Sequence, residues 1–214
     1  MDPVTALVCD FGGVLTTPVA GMLESFLEAS GASMPQLGLA LGAVGERIGA
    51  NPLFELETGR MSEARFLTEL GQRLREQLGR PVELHELGES ILSRLAPNER
   101  MIDYVREVRG RGLRTAICTN NVREWSDRWR SMLPVSELFD VVVDSAFVGF
   151  RKPEPRIYEL TLERLGVAAH AAVLVDDIED NCAGAVRMGM RAVVFQSTDQ
   201  AIADLDAALG GVPL

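Results

Sequence analysis

The sequence predicts a doubly wound α/β domain with an all-helical insertion after its first strand. Two observations carry this. Short apolar runs, rich in Val, Ile, Leu or Ala, recur at Ala6–Cys9, Leu113–Cys118, Phe139–Val143, Ala172–Val175 and Ala192–Phe195. Runs this short and this apolar read as strands buried on both faces, the mark of a parallel sheet. Amphipathic segments alternate with the later runs, at Glu99–Arg109, Arg123–Leu133, Arg156–Leu165 and Asn181–Met188. Gly110, Gly166 and Gly189 stand where helix C-caps belong.

The first strand breaks this alternation. Between Asp10 and the run at Leu113, helix-like spacing appears at Val19–Ala29, Asn51–Glu57, Ser62–Leu78 and Leu84–Leu95, with Ser62 placed as an N-cap. A crossover does not need so many helices. The expected organisation is a Rossmann-like core of residues 1–17 and 96–214 carrying a helical cap of residues 18–95, closed by Pro97. Glycines 38, 42, 45 and 49 form small-xxx-small pairs and are expected to permit close helix packing.

Composition narrows the function. The chain has 214 residues, 47% of them hydrophobic, and can bury a core without disulfides or a structural metal. Its net charge of −10 argues against nucleic acid or an anionic membrane as the main partner. Three cysteines without a pairing pattern, and an N-terminus lacking signal-peptide character, indicate a cytoplasmic protein. Of 21 Lys plus Arg, one alone is lysine, Lys152.

In a parallel sheet every strand ends on the same edge, and ligands bind there. The first strand ends in Asp10, followed by Phe11, Gly12 and Gly13. The Leu113 strand ends in Thr119 and Asn120, and the Ala172 strand in Asp176 and Asp177. Arg151-Lys152-Pro153 follows the Phe139 strand. Three carboxylates, a hydroxyl, an amide and the lone lysine therefore converge on one rim. Such carboxylates repel unless a hard cation such as Mg²⁺ sits among them. The set suits phosphoryl transfer, with Asp10 as nucleophile. The cation and Lys152 would neutralise the phosphoryl oxygens, and Thr119 and the Asn120 backbone amide would donate hydrogen bonds.

Asp10-x-Gly-Gly-Val-Leu, Thr119-Asn120, Arg151-Lys152-Pro-Glu-Pro-x-Ile-Tyr and Asp176-Asp177-x-x-x-Asn181 together resemble the haloacid dehalogenase superfamily over essentially the whole chain. Within it the chain is similar to the N-terminal phosphatase domain of soluble epoxide hydrolase and to bacterial sugar-phosphate phosphatases. The resemblance implies a Mg²⁺-dependent phosphatase acting on a small phosphorylated metabolite through an aspartyl-phosphate on Asp10. It implies metal ligation by Asp10, the Gly12 carbonyl, Asp176 and Asp177, with Asp177 the more direct of the acidic pair and Asn181 supporting the shell. Gly12, Gly13, Thr119, Asn120 and Lys152 would hold the substrate phosphate.

One departure stands out. Phosphatases of this superfamily usually place a general acid–base Asp two residues after the nucleophile, where this chain has Gly12. A missing proton donor costs on the order of 10²–10⁴ in rate. Two responses are expected: a preference for good leaving groups, or an acid recruited from the cap or water. The alternative reading is a degenerate phosphate-binding or regulatory module with little turnover. A metal-free haloacid dehalogenase is disfavoured by the acidic pair, and phosphonate cleavage by the absence of a cap lysine.

Other features carry bland expectations. Cys9 and Cys118 are core residues; His85 and His170 are surface or capping residues. Arg106, Arg109, Arg111 and Arg114 complement a helix end. Trp125 and Trp129 are expected to pack on one helix, with a site wall as the lesser reading. Arg47, Arg60 and Arg65 are either phosphate contacts or members of solvated faces.

Overall fold

The computed structural model describes residues 3–84 and 87–210. His85 therefore lies outside the described residues. The chain runs from β1 (Ala6–Cys9) into five helices, α1 (Ala20–Ala29), α2 (Met34–Ile48), α3 (Pro52–Glu57), α4 (Glu63–Leu78) and α5 (Leu87–Leu92). It returns through α6 (Glu99–Gly110) to β2 (Arg114–Thr119), then α7 (Ser126–Arg130), α8 (Val135–Leu138), β3 (Val141–Asp144), α9 (Ser145–Val148) and α10 (Pro155–Leu165). Strand β4 (Ala172–Asp176), α11 (Glu179–Arg187), β5 (Arg191–Val194) and α12 (Thr198–Ala208) complete it.

The sheet is parallel throughout, in the order β3-β2-β1-β4-β5. This is the doubly wound Rossmann-like core, with a helical cap region inserted after β1. Strand alternation sends Leu7, Cys9, Ile117, Val173 and Val175 to one face, against Met101, Val105 and Val108 of α6 and Leu205 of α12. Ala6, Val8, Ala116, Cys118 and Leu174 point to the other, against Ile157, Tyr158 and Leu162 of α10 and Ala185 of α11. Cys9 and Cys118 thus lie in opposite halves of the core, both fully buried.

The cap has its own core. In α4, Ser62 accepts a hydrogen bond from the Arg65 amide, a cap worth about 1 kcal/mol, and Phe66, Leu70 and Leu74 form the buried stripe. They meet Leu37 and Ala40 of α2, Leu27 of α1 and Leu56 of α3. Two extended segments join cap to core at one place. Thr16 bridges Pro97, the Thr17 amide donates to the Ala96 carbonyl at 2.9 Å, and the Asn98 amide donates to Leu15 at 2.8 Å.

Several expectations need correction. Residues 34–48 form a helix that its glycines obscured, started by Ser33 and Gln36, whose side-chain oxygen accepts from the Ser33 amide at 2.9 Å. Of the four glycines only Gly45 serves a close approach, since a Cβ there would lie 3.2 Å from the Ala50 carbonyl oxygen. A Cβ at Gly38 or Gly42 would meet nothing within 4 Å, and Gly49 is the left-handed C-cap at φ 72°. Gly110 is the last residue of α6, and the positive φ falls two residues on, at Gly112. The helix expected over Leu84–Leu95 is shorter, at Leu87–Leu92.

The helix expected at Arg123–Leu133 is instead a 3₁₀ turn, Arg123–Trp125, followed by α7. In one continuous helix Trp125 and Trp129 would share a face. Both border the same core, but their partners differ: Trp129 packs against Phe11 with ring centroids 4.8 Å apart, and Trp125 reaches Glu63 of the cap.

Candidate active site

The carboxyl ends of β1, β2 and β4 meet beneath the cap. The Asp10 amide donates to the Val175 carbonyl at 2.9 Å, so the end of β1 is tied to β4. Lys152 arrives from the loop after α9, and its ammonium sits 2.9 Å from Asp10 Oδ1 and 2.5 Å from Asp176 Oδ2, with no exposed surface. Oxygens of Asp10, Asp176 and Asp177 all lie within 4.8 Å of one another.

The electrostatics follow from this crowding. Burial pushes the Asp10 carboxyl up to about 7; the Lys152 ammonium opposes the shift, and Asp176 and Asp177 add to it. Burial alone would lower the Lys152 pKa, but Asp10 and Asp176 override it and hold the ammonium above the usual lysine range. Asp177 is raised by burial and by the Asp176 charge.

The two acids of the pair are differently placed. Asp176 is fully buried and saturated: Oδ1 accepts from the Ile178 amide and from Asn181 Nδ2, each at 2.9 Å, and Oδ2 takes Lys152. Asp177 is exposed toward the cavity that Asp10 also lines. Gly13, at φ 85°, brings its backbone so close that a Cβ there would overlap the Asp177 carboxylate. Gly12 has a close but less severe neighbour in Val19, whose Cγ2 would lie 3.1 Å from an added Cβ.

Thr119 is buried at the end of β2 and lines the same cavity. Asn120 follows, and its side chain is committed to the Lys152 backbone, donating to the carbonyl at 3.0 Å and accepting from the amide at 2.8 Å. Asp10, Gly12, Thr119, Asn120, Lys152, Asp177 and Asn181 all line one cavity of about 470 Å³, and Gly13 abuts it through Asp177. A Mg²⁺ ion suits this donor set, since the oxygens are hard, clustered and partly enclosed.

Residues without a sequence assignment also build the site. Arg151 Nε pairs with Glu57 Oε2 at 2.5 Å, linking the core to α3, and the Arg151 guanidinium lies 3.8 Å from the Phe54 ring centroid. Buried Ser145 ties three loops together, accepting from the Asn121 amide at 3.0 Å and donating to the Glu57 carbonyl at 2.5 Å. These partners lie 94, 24 and 88 residues apart, so no local pattern announces them. Trp125 takes the wall position that had been the lesser reading, its Nε1 donating to Glu63 Oε1 at 2.8 Å.

The cap arginines do not line the cavity. Arg47 pairs with Glu69, Arg65 lies 4.0 Å from the same carboxylate, and Arg60 pairs with Glu55 and donates to the Gly149 carbonyl. The basic cluster of α6 and β2 is likewise occupied, Arg106 by Asp103, Arg109 and Arg114 by Asp140, and Arg111 by Glu107. His170 is exposed on a 3₁₀ turn, away from the cavity.

The model of the haloacid dehalogenase-like hydrolases matches residues 4–189. The chain belongs to that family. A phosphatase from Mycobacterium tuberculosis is 32% identical, over 98% of this chain and 96% of its own length. Bifunctional epoxide hydrolase 2 of Rattus norvegicus is 27% identical over 94% of this chain, which covers 38% of that enzyme. Against the longer curated relatives the chain spans 11% and 38% of their length. Among solved structures, a Bacteroides thetaiotaomicron family enzyme in complex with magnesium and inorganic phosphate superposes with a TM-score of 0.63 at 20% identity. It covers 89% of this haloacid dehalogenase-like chain and 93% of the other. No described helix is long and apolar enough to cross a membrane.

Proposed function

We propose that this hydrolase is a Mg²⁺-dependent phosphatase acting on a small phosphorylated metabolite, with Asp10 as nucleophile. The observation that carries the reading is the buried Lys152 ammonium bridging Asp10 and Asp176 beside Asp177. A carboxylate held this way presents an oxygen in fixed geometry, and the lysine charge balances the phosphoryl group that arrives. The support from relatives is the Mycobacterium tuberculosis phosphatase and the magnesium-bound and phosphate-bound Bacteroides enzyme.

Each residue then has a task. Asp10 attacks phosphorus, the ester P–O bond breaks, and the leaving oxygen takes a proton from water. A water then attacks the aspartyl-phosphate, releasing phosphate and restoring Asp10. Lys152 and the Thr119 hydroxyl contact the phosphoryl oxygens, together with the backbone amides of Gly12, Gly13 and Asn120. Asp10, the Gly12 carbonyl and Asp177 would hold Mg²⁺, which supplies charge neutralisation to the phosphoryl group. Asp176, with both oxygens engaged, positions Lys152 and Asn181 around that shell. Residues 18–95 act as the cap and residues 1–17 with 96–214 as the catalytic core, a division supported by the Thr16–Pro97 bridge. The three buried free cysteines support a cytoplasmic location.

Hydrolysis of p-nitrophenyl phosphate with and without Mg²⁺, beside Asp10→Asn, tests the reading. Turnover that requires both Mg²⁺ and Asp10 is expected; turnover indifferent to chelator overturns it. Gly12 favours a second reading, a phosphate-binding module, which saturable phosphate binding without turnover on any substrate would establish.

A further inference from the structure

The cavity above Asp10 is apolar where a sugar-phosphate site would be polar. Its cap side is built from Leu23, Leu27, Leu41, Leu53, Phe66 and Leu70, contributed by four helices, and continues without interruption to Asp10 and Lys152. Polar groups on these upper walls are few and already engaged. Glu57 pairs with Arg151 at 2.5 Å, Glu63 accepts from Trp125 at 2.8 Å, and the Asn121 side-chain oxygen accepts from the Val122 amide at 2.9 Å. The cap arginines that would read hydroxyls or a second phosphate pair elsewhere, with Glu69 and Glu55. A polyhydroxylated substrate would lose its water here and gain no hydrogen bonds, an unfavourable exchange for every buried hydroxyl.

We propose that the substrate is an amphiphilic monophosphate whose single apolar chain fills this cavity while its phosphate meets Asp10 and Lys152. The inference rests on the phosphatase reading and narrows its substrate class. The volume of about 470 Å³ is in the range of small-ligand sites. At ~30 Å³ for a water-sized group, it holds a chain on the order of ten carbons after allowance for imperfect filling. Burying a chain against leucine and phenylalanine walls gains about threefold to fourfold in affinity per methylene.

Binding of n-alkylphosphonates from ethyl to decyl, below their micelle concentrations and with Mg²⁺ present, tests this by calorimetry. Affinity is expected to rise about threefold to fourfold per methylene and to level off once the cavity is full. Flat affinity across the series, or a hexose monophosphate binding more tightly than octylphosphonate, overturns the proposal. Leu67→Trp, which places a larger ring on the cavity wall, should lower the decyl-to-ethyl affinity ratio by about tenfold. Leu41→Gln, a polar change on the same wall, should lower it in the same direction. A ratio unchanged in both variants means the chain lies elsewhere and also overturns the proposal. The two readings fail separately. Chain-dependent binding without p-nitrophenyl phosphate turnover removes the phosphatase reading alone, and turnover with chain-independent binding removes this one alone.

Discussion

The Asn120 side chain and the Lys152 backbone form a two-point pair, with Nδ2 donating to the carbonyl at 3.0 Å and the amide donating to Oδ1 at 2.8 Å. This fixes the root of the lysine whose tip lies 2.9 Å from Asp10. Asn120 thus positions Lys152 from the end of the neighbouring strand. Asn120→Asp should misorient the loop, because a carboxylate cannot donate to the Lys152 carbonyl. Expected is a fall in kcat of about 10- to 100-fold, with KM changed far less. A loss confined to thermal stability would assign the pair a purely structural role.

Lys152 has no room for a broader head group. Its ammonium is fully enclosed between Asp10 and Asp176. Lys152→Arg should lower p-nitrophenyl phosphate hydrolysis by about 10²–10³-fold, the magnitude typical of a lost charge stabiliser. The circular dichroism spectrum should remain that of the folded protein. Near-normal turnover would make the lone lysine a compositional accident.

Gly13 controls where Asp177 can lie. A methyl at this position overlaps the carboxylate, and φ of 85° is strained for any other residue. Gly13→Ala should raise the Mg²⁺ concentration needed for half-maximal activity by about 10- to 100-fold. Magnesium titration of activity reads this directly, and an unchanged midpoint would separate Asp177 from the metal.

Gly12 brings no carboxyl to the cavity floor, where Asp10 and Asp177 already have the nucleophile and metal-holding tasks. Glu57 and Glu63, the cap carboxyls that line the cavity, are engaged with Arg151 and Trp125. Acyl and aryl phosphates, whose leaving oxygens need no proton, should therefore be hydrolysed faster than alkyl phosphates, by at least about 10²-fold. Gly12→Asp, combined with Val19→Ala to clear the 3.1 Å contact, should narrow that gap. Equal rates on both substrate types in the parent enzyme would sink the leaving-group argument.

Asp144, at the end of β3 and outside the cavity lining, offers a test of pH-linked stability. Its Oδ1 caps α9 by accepting from the Ala146 amide at 3.1 Å, while Oδ2 is buried without a hydrogen-bond partner, as is Trp129 Nε1. Burial raises its pKa, only partly opposed by the Ala146 amide and Arg130. The folded state therefore binds the proton more tightly than the unfolded one, whose carboxyl titrates near ~3.9. Stability from this group is present below that pH and is lost as pH rises through the folded value. Asp144→Asn keeps the cap and cannot titrate. Relative to the parent, its Tm should improve as pH rises from 4 to 7.5, because the parent alone loses the stabilisation tied to the bound proton. A constant difference across that range would refute the assignment.

Much of this was legible in the chain, for identifiable reasons. Strands buried on both faces announce themselves as short apolar runs, so all five appear in the sequence within two residues of their observed ends. Parallel strands share one carboxyl edge, so Asp10, Thr119, Asp176 and Asp177 could be gathered before any coordinate was known. Helix α2 was less legible because Gly38 and Gly42, at exposed positions with open space around them, imitate a packing motif. The separate partners of Trp125 and Trp129 were hidden because Glu63 and Phe11 are both far from them in the chain.

By itself the sequence determined the parallel sheet, the helical insertion and the identity of the groups at the strand ends, because these depend on local periodicity and on a general property of parallel sheets. Tertiary structure alone decided how those groups divide their work. Asp176 is saturated by Lys152, Asn181 and a backbone amide while Asp177 is left open, although the two are adjacent in the chain. It also decided that Glu57 would meet Arg151, that Arg47 would turn to Glu69, and that leucines from five cap helices would enclose the space above Asp10. Contacts between residues tens of positions apart depend on how two packed units meet, and no short-range pattern encodes that.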